Sequence, residues 1–429
     1  MFSSLTSYDD HKISIKLTFF SLVTLALSLF TSTSLLALDH ILLFIAFAVL
    51  TLKGWPCYNL SKSNMALLGI VGAIFLSAFS VDRSLTLKTI FYSKYFIVGL
   101  MAIPLYQILF SQIKFIHLKT IINLFLITLI LANLSGMIGL FTGFNPLRFR
   151  YAMDMTRSTG MYGMAMTYGY GIALINVILI SITFHWSEFK RWFNPYLFWI
   201  ALITSVLGLY FAYCRGATLG LLCAVPFCLI QKSKKKFLIV LAFCTLLITL
   251  WSYQTFVGFN PEQDNINEIS QQEIGHTKNR YTLPANAASN LIRIAQYKTA
   301  FYAFLEHPFL GLGFRNFEKE SARIKKENTV EHTDFVSHTH NNYLEFLAGT
   351  GLVGILSFLL FNLFWFIESW KRHDALGVIL IPFIIAFNVS GLFQATIIDG
   401  ENTHLILFIY ALSQLHLNNF SKLAYPQNP

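Results

Sequence analysis

Residues 120–141 read TIINLFLITLILANLSGMIGLF. No residue in this run is charged, and as a helix it would be about 33 Å long at 1.5 Å per residue. A hydrocarbon layer is about 30 Å thick, so the run can cross it. Comparable stretches fall at 17–38, 40–52, 65–80, 91–110, 161–184, 197–214, 217–230, 237–252, 342–367, 375–395 and 404–417, which with 120–141 makes twelve candidate spans. Composition agrees. Of the 429 residues 55% are hydrophobic and 12% charged, and a mean hydropathy of +0.58 cannot be kept from water without lipid. The expected fold class is an all-α polytopic membrane protein of about 12 transmembrane helices. The run 17–38 is too long for the apolar region of a cleavable leader and reads as the first span. Segment 40–52 is short for a span, and if it were re-entrant every later loop would change sides.

A net charge of +10 ordinarily raises nucleic acid as a partner, but this hydropathy argues against that class. The distribution of charge gives another account. With the N-terminus in the cytoplasm, the tails and cytoplasmic loops hold 15 basic and five acidic residues, the basic cluster 232–236 among them. The short outer loops hold seven and six, and the segment 253–341 nine and ten, so the outer face is neutral. This positive-inside pattern supports twelve spans with both termini cytoplasmic. Cys57, Cys214, Cys223, Cys228 and Cys244 lie in or beside apolar runs without a CxxC spacing, which argues against a disulfide framework or zinc site.

The chain then divides into helices 1–9 over 1–252, a large outer loop over 253–341, and helices 10–12 with a tail over 342–429. Loops of this length are functional or disordered. The first part of the loop, 260–289, is rich in Asn, Gln and Glu. The second carries Ile292, Ala295, Tyr297, Ala300, Phe301, Phe304 and Leu305 at three- and four-residue spacings, an amphipathic helix near 290–306 ended by His307-Pro308 and Gly311. Such a helix lies on the membrane surface or docks on the bundle.

The densest polar group runs from Glu331 through His332, Asp334, Ser337, His338, His340 and Asn341 into span ten. An imidazole with an ordinary pKa of about 6.5 can take a proton from a hydroxyl at neutral pH. The bland reading is that His338 and His340 solvate or cap the helix start. A metal reading would join them with Asp334 or His332, but no further cluster completes it at a recognisable spacing. Arg215 follows span seven with almost no loop before span eight, a costly depth for a charge unless a polar cavity or an anion compensates it. Arg293 sits on the loop helix with Tyr297 one turn on. Both arginines suit phosphate, whose oxygens match the guanidinium fork; snorkelling to headgroups is the alternative. Arg83, Lys88, Lys94, Arg148, Arg150 and Arg157 could line the same cavity or meet headgroups. Gly311-Leu312-Gly313-Phe314 gives a tight turn, Gly349, Gly351 and Gly354 a helix-packing face, and Asp399, Glu401 and His404 read as solvated turn residues that could assist proton transfer.

Three motifs in this order, Arg215-Gly216, Arg293-x-x-x-Tyr297 with Glu306-His307-Pro308-Phe309-Leu310-Gly311-Leu312-Gly313-x-x-Asn316-Phe317, and His338-x-His340-Asn341-x-Tyr343-Leu344 with Gly349-x-Gly351-Leu352-x-Gly354, resemble the O-antigen ligase and polymerase superfamily. The resemblance covers spans seven to ten and implies a bundle related to the C-type membrane glycosyltransferases, with a periplasmic loop over a cavity. It implies His340 as catalytic base, with His338 beside it, and Arg215 and Arg293 as the arginines that handle a lipid diphosphate. Tyr297 stands where the family has tryptophan, and Asn341, Lys88, Arg148 and Arg150 would line the cavity. The reaction it implies is glycan transfer from undecaprenyl diphosphate to lipid A-core, in the bacterial inner membrane on the periplasmic face; with no residue suited to a covalent glycosyl-enzyme, a single displacement with inversion is expected. Neither nucleotide nor metal cofactor is expected, because the sugar is already activated. An O-antigen polymerase, a protein O-oligosaccharyltransferase and, in another class, a non-enzymatic lipid-glycan transporter are the alternatives.

Overall fold

The computed structural model describes residues 8–53, 61–80, 83–152, 154, 156–257, 287–331 and 336–415. Cys57, His332, Asp334 and most of the Asn-rich stretch after Asn260 lie outside them. The helices are α1 (Tyr8–Ser28), α2 (Thr33–Leu52), α3 (Lys62–Ser77), α4 (Arg83–Tyr92), α5 (Lys94–Gln112), α6 (Phe115–Thr142), α7 (Ala165–Phe184), α8 (Trp186–Phe189), α9 (Pro195–Ala212) and α10 (Arg215–Ala224). They continue with α11 (Lys234–Val257), α12 (Ala287–Glu306), α13 (Phe317–Glu327), α14 (Asn342–Trp370), α15 (Gly377–Ser390) and α16 (Gly400–Ser413). A two-residue hairpin pairs Phe144 with Tyr151 and Asn145 with Arg150 after α6.

Among the described residues seven helices are long and apolar enough to cross a membrane: Thr33–Leu52, Lys62–Ser80, Leu85–Gln112, Phe115–Thr142, Ala165–Phe184, Pro195–Ala212 and Asn342–Trp370. Arg215–Leu229 and Gly377–Ser390 are shorter apolar helices. The chain is thus a helical, polytopic membrane protein.

The first two spans divide differently from the sequence expectation. Ser32 caps α2 by accepting a hydrogen bond from Leu35 N at 3.4 Å, so the break falls at 29–32 and not at Asp39. A small polar side chain free to cap a helix start competes better for the break than an acid that can be satisfied inside a helix. Asp39 is 2% exposed within α2, with Ser21 of α1 donating to its carboxylate. Segment 40–52 accordingly belongs to a 20-residue helix of spanning length.

Close helix approaches occur where glycine leaves room. A Cβ on Gly69 of α3 would meet Ser357 of α14 at 3.0 Å, and one on Gly99 of α5 would meet Leu407 of α16 at 3.1 Å. The core so formed runs through α1 to α16, with Trp365, Tyr106, Tyr168, Tyr170 and Tyr410 fully buried. The segment between α11 and α14 has a separate small core of Ala300, Ala303, Leu312, Phe317, Ile324 and Ala348, which joins α12 and α13 to the start of α14. On its surface Arg323 of α13 ties the two helices together through Glu306 of α12 at 2.8 Å, while Glu320 at 2.9 Å and Glu327 at 2.5 Å hold it along its own helix. The amphipathic helix docks through the alanines of its expected apolar set and not through the larger side chains. Ala295, Gln296, Thr299, Ala300 and Ala303 are buried, whereas Phe301 and Leu305 are exposed. Small side chains win the inner face because they let the helix approach.

The turn at Gly311 and the glycines of α14 belong to one joint. Leu312 N donates to Ala348 O at 2.8 Å and Leu352 N to Pro308 O at 2.7 Å, so the loop main chain bonds directly to a break in α14. At that break Gly351 has φ 60 and ψ −157, a region that only glycine occupies without strain. A Cβ there would sit 2.4 Å from the Phe309 carbonyl carbon. The glycine face is therefore not a helix-packing stripe: Gly349 and Gly351 receive the turn, and a Cβ on Gly354 would meet its own Thr350. Gly351→Ala should cost on the order of 2 kcal/mol or more from backbone strain alone. Gly72→Ala, where a Cβ meets nothing within 4 Å, should leave thermal unfolding of the detergent-solubilised protein unchanged.

Candidate active site

Three elements meet around the two histidines, and a short segment after α15 joins them. Asn341 caps α14 by accepting from Tyr343 N at 2.8 Å and Leu344 N at 3.1 Å, while its amide donates to Leu392 O at 3.1 Å. Tyr297 of α12 donates its hydroxyl to the same carbonyl at 2.9 Å. Asn342 N donates to Gly391 O at 2.7 Å, and the Asn342 side chain holds Thr396 Oγ1 and Ile397 N, each at 3.0 Å. The third element is the α9–α10 junction. There Tyr213 adopts φ 50, and Arg215 opens α10. A Cβ on Gly216 would lie 2.2 Å from the Tyr170 hydroxyl and 2.6 Å from Phe393 Cβ, so only glycine lets α10 start against the 391–395 segment. Arg157 braces this junction, donating to Ala212 O at 2.9 Å and Cys214 Sγ at 3.0 Å.

His340 itself has φ 53, a left-handed conformation that histidine tolerates better than most side chains. The turn is held by His340 N donating to His338 Nδ1 at 3.1 Å and by Thr339, whose N and Oγ1 both donate to Glu345 at 3.2 and 3.0 Å. The two imidazoles stand 4.2 Å apart. Gln394 is the residue that orients the second. Its carbonyl oxygen lies 2.9 Å from His340 Nδ1, and it also hydrogen-bonds Asp399. An amide oxygen only accepts, so His340 Nδ1 carries the hydrogen, while the amide nitrogen of Gln394 lies 3.4 Å from His338 Nε2. Nε2 of His340 is then the basic atom, with Ser337 Oγ 3.4 Å away.

Electrostatics keep this pair neutral. Burial pushes His338 down to about 3, with further lowering by His340, Arg315 and Arg293. Burial also lowers the pKa of His340; its bond to Gln394 opposes the shift and Arg293 adds to it. Asp399 moves the other way, to about 7, chiefly through burial and then Glu401, against the opposing pull of Arg315, Thr167 and Gln394.

The structure therefore places Arg293, Tyr297, His338, His340 and Asn341 around one centre, with Arg215 joined to it through Gly216 and Phe393. Lys88 is exposed, with its ammonium 5.8 Å from the Tyr92 ring. Arg150 is exposed on the hairpin and Arg148 half-buried beside it. Neither takes part in the hydrogen bonds made by the histidines. Asp399 is not a solvated turn residue: Thr167 donates to it at 3.3 Å, and His404 stacks on His40 at 4.1 Å within the bundle. Sequence reasoning missed Gln394 and Arg315. Gln394 was concealed at the end of an apolar run, where Gly391 was the available signal. Arg315 lies over the Tyr92 ring at 4.3 Å and acts electrostatically on His338 and Asp399; its signal was a positive charge inside the glycine turn. Among the described residues no group of three or more His, Cys, Asp or Glu is placed to hold a metal ion.

Residues 198–359 match a family model described as O-antigen ligase. No curated protein matches the chain. The matched segment runs from α9 to the middle of α14 and so carries Arg215, Arg293 and His340, but not Gln394 or Asp399.

Asn341 serves both as helix cap and as anchor, so Asn341→Ala should destabilise the protein by about 1–2 kcal/mol. Asn341→Ser, which can still accept from the helix start, should recover part of that loss in the same thermal unfolding measurement.

Proposed function

We propose, for a chain that belongs through residues 198–359 to the O-antigen ligase/polymerase superfamily, that it is the ligase, transferring a glycan from undecaprenyl diphosphate to a hydroxyl of lipid A-core. The observation that carries the reading is His340, its Nδ1 held 2.9 Å from Gln394, with burial and the charge of Arg293 on the docked helix both lowering its pKa. Sugar transfer to a hydroxyl needs two things at once: a base for the acceptor proton and a counter-charge for the departing diphosphate.

In this scheme Nε2 of His340 takes the proton as the acceptor oxygen forms its bond to the anomeric carbon and the bond to the diphosphate oxygen breaks. Arg215 and Arg293 neutralise the leaving group, the first from the positive end of α10. His338 holds the turn, because its Nδ1 is occupied by the backbone of His340. A single displacement inverts the anomeric configuration, and retention in the product would exclude it. The donor is already activated, so the scheme calls on neither nucleotide nor metal. The site would face the periplasm of the bacterial inner membrane, as the charge distribution along the sequence supports. An inverted-repeat transporter finds no support in a polar cluster confined to one end of the bundle.

His340→Ala should lower transfer by about 100- to 10,000-fold in an assay of purified protein with lipid-linked glycan and rough lipopolysaccharide. Products on lipid A-core support ligation, whereas lengthening of the glycan on its own lipid would identify a polymerase. Arg215→Lys should lose about tenfold or more, since an ammonium cannot reproduce a two-point phosphate contact.

The acid side of the rate profile supplies a separate check. Burial and Arg293 both favour neutral His340, so protonation disables the base only below the ordinary value of about 6.5. Activity should stay level through neutrality and fall below that point. Arg293→Gln removes one of the lowering influences and should move the fall to higher pH, in addition to lowering the rate.

A further inference from the structure

We infer that the bundle interior holds a binding site for a single hydrocarbon chain, separate from the histidine centre. The site is a cavity of about 220 Å³ whose lining includes Ala26, Leu179, Trp192, Leu376 and Leu405. Its shape follows from the sequence of the helices around it. The stretches 22–29 at the end of α1 and just past it, 175–182 of α7 and 405–412 of α16 each turn residues at i, i+3, i+4 and i+7 toward it, and 118–126 of α6 closes a further side. Each of these stripes covers two helical turns, so the cavity runs about 10 Å along the helix axes. Stripes of this kind ordinarily interlock with a neighbour. Here they face one another across a space that none of them fills.

Water is a poor occupant. Every lining residue is apolar, and a buried water needs two to four polar partners that this wall does not provide. Apolar cavities of this kind stay dry and take apolar ligands. The surroundings supply such a ligand in the form of lipid tails, and the elongated shape fits a linear chain better than a compact molecule. At one end lie Phe189, Trp192 and Phe193, on the connection between α7 and α9 at the opposite end of the bundle from His340. At the other end is Leu405, on the second turn of α16 after Asp399 and Gly400. A chain seated here would thus lie along the bundle axis beneath the histidine centre.

Two sources share this chemistry, the acyl chain of a phospholipid and the isoprenoid tail of a polyprenyl lipid, and photolabelling separates them. The purified full-length protein in detergent is exposed in turn to phosphatidylethanolamine with a diazirine in its acyl chain and to a polyprenyl monophosphate with a diazirine in its tail. Labelled peptides are then mapped by mass spectrometry. At least one probe should label 175–182, 118–126 or 22–29, and the probe that does so identifies the source. The filling variants Leu179→Trp and Ala26→Leu should each cut this labelling by roughly tenfold, while labelling at the exposed, outward-facing Leu207 stays constant. The milder Ala26→Leu serves if Leu179→Trp does not fold. Labelling of outward-facing positions alone, or interior labelling that neither filling variant reduces, would overturn the site.

Discussion

The carbonyl of Leu392 accepts hydrogen bonds from two side chains that are 44 positions apart in the sequence, Tyr297 on α12 and Asn341 at the head of α14. Main-chain polar groups that leave the helical ladder need partners, and nowhere more than beside lipid. The segment 391–397 leaves the helical ladder after α15, and its groups become the points to which separate parts of the chain attach. Gly391 O takes Asn342 N, Leu392 O takes the two side chains, and Ile397 N takes Asn342 Oδ1. Gln394 lies in the middle of this run, so the same bonds that close the bundle also set the position of the residue that orients His340.

The chemistry of the centre rests on a balance between burial and charge. An imidazole taken out of water prefers to be neutral, and cations nearby strengthen that preference. His338 and His340 experience both, with Arg293 acting on each and Arg315 on the first. In the proposed reaction, cations that would bind an anionic leaving group would therefore also keep the imidazoles unprotonated. Asp399 adds a carboxylate held near 7, two bonds removed from His340 through Gln394. An acid this close to half-charged can change its own state with a modest change in surroundings, whereas His340 is kept on one side of its titration.

Much of this was legible before any coordinates. The uncharged runs announced helices, and spacing alone located α12 to within a few residues of its observed start, since both period and cap are local. The grouping of Arg293, Tyr297, His340 and Asn341 was legible as motifs in a fixed order. What the sequence hid was non-local. Ser32 and Asp39 compete for the first break, and the outcome depends on a hydroxyl in α1. The buried face of α12 is made by alanines and by Gln296 and Thr299, because fit decides it and not apolarity. Gln394 and Asp399 come from beyond the matched segment, and only the packing of α15 and α16 brings them under the histidines. Gly349 and Gly351 carried the right residue type for a reason different from helix packing.

The joint between the 308–314 turn and α14 is made by main-chain groups of both partners. Main-chain bonds are indifferent to the side chains that flank them, so the seat of the loop is specified by a few glycines and by shape. Residues on its outer surface, the exposed Phe309 among them, are then free to diverge without shifting the frame beneath. A surface of this kind can change by substitution in the loop alone, while the turn carrying His340 keeps its geometry.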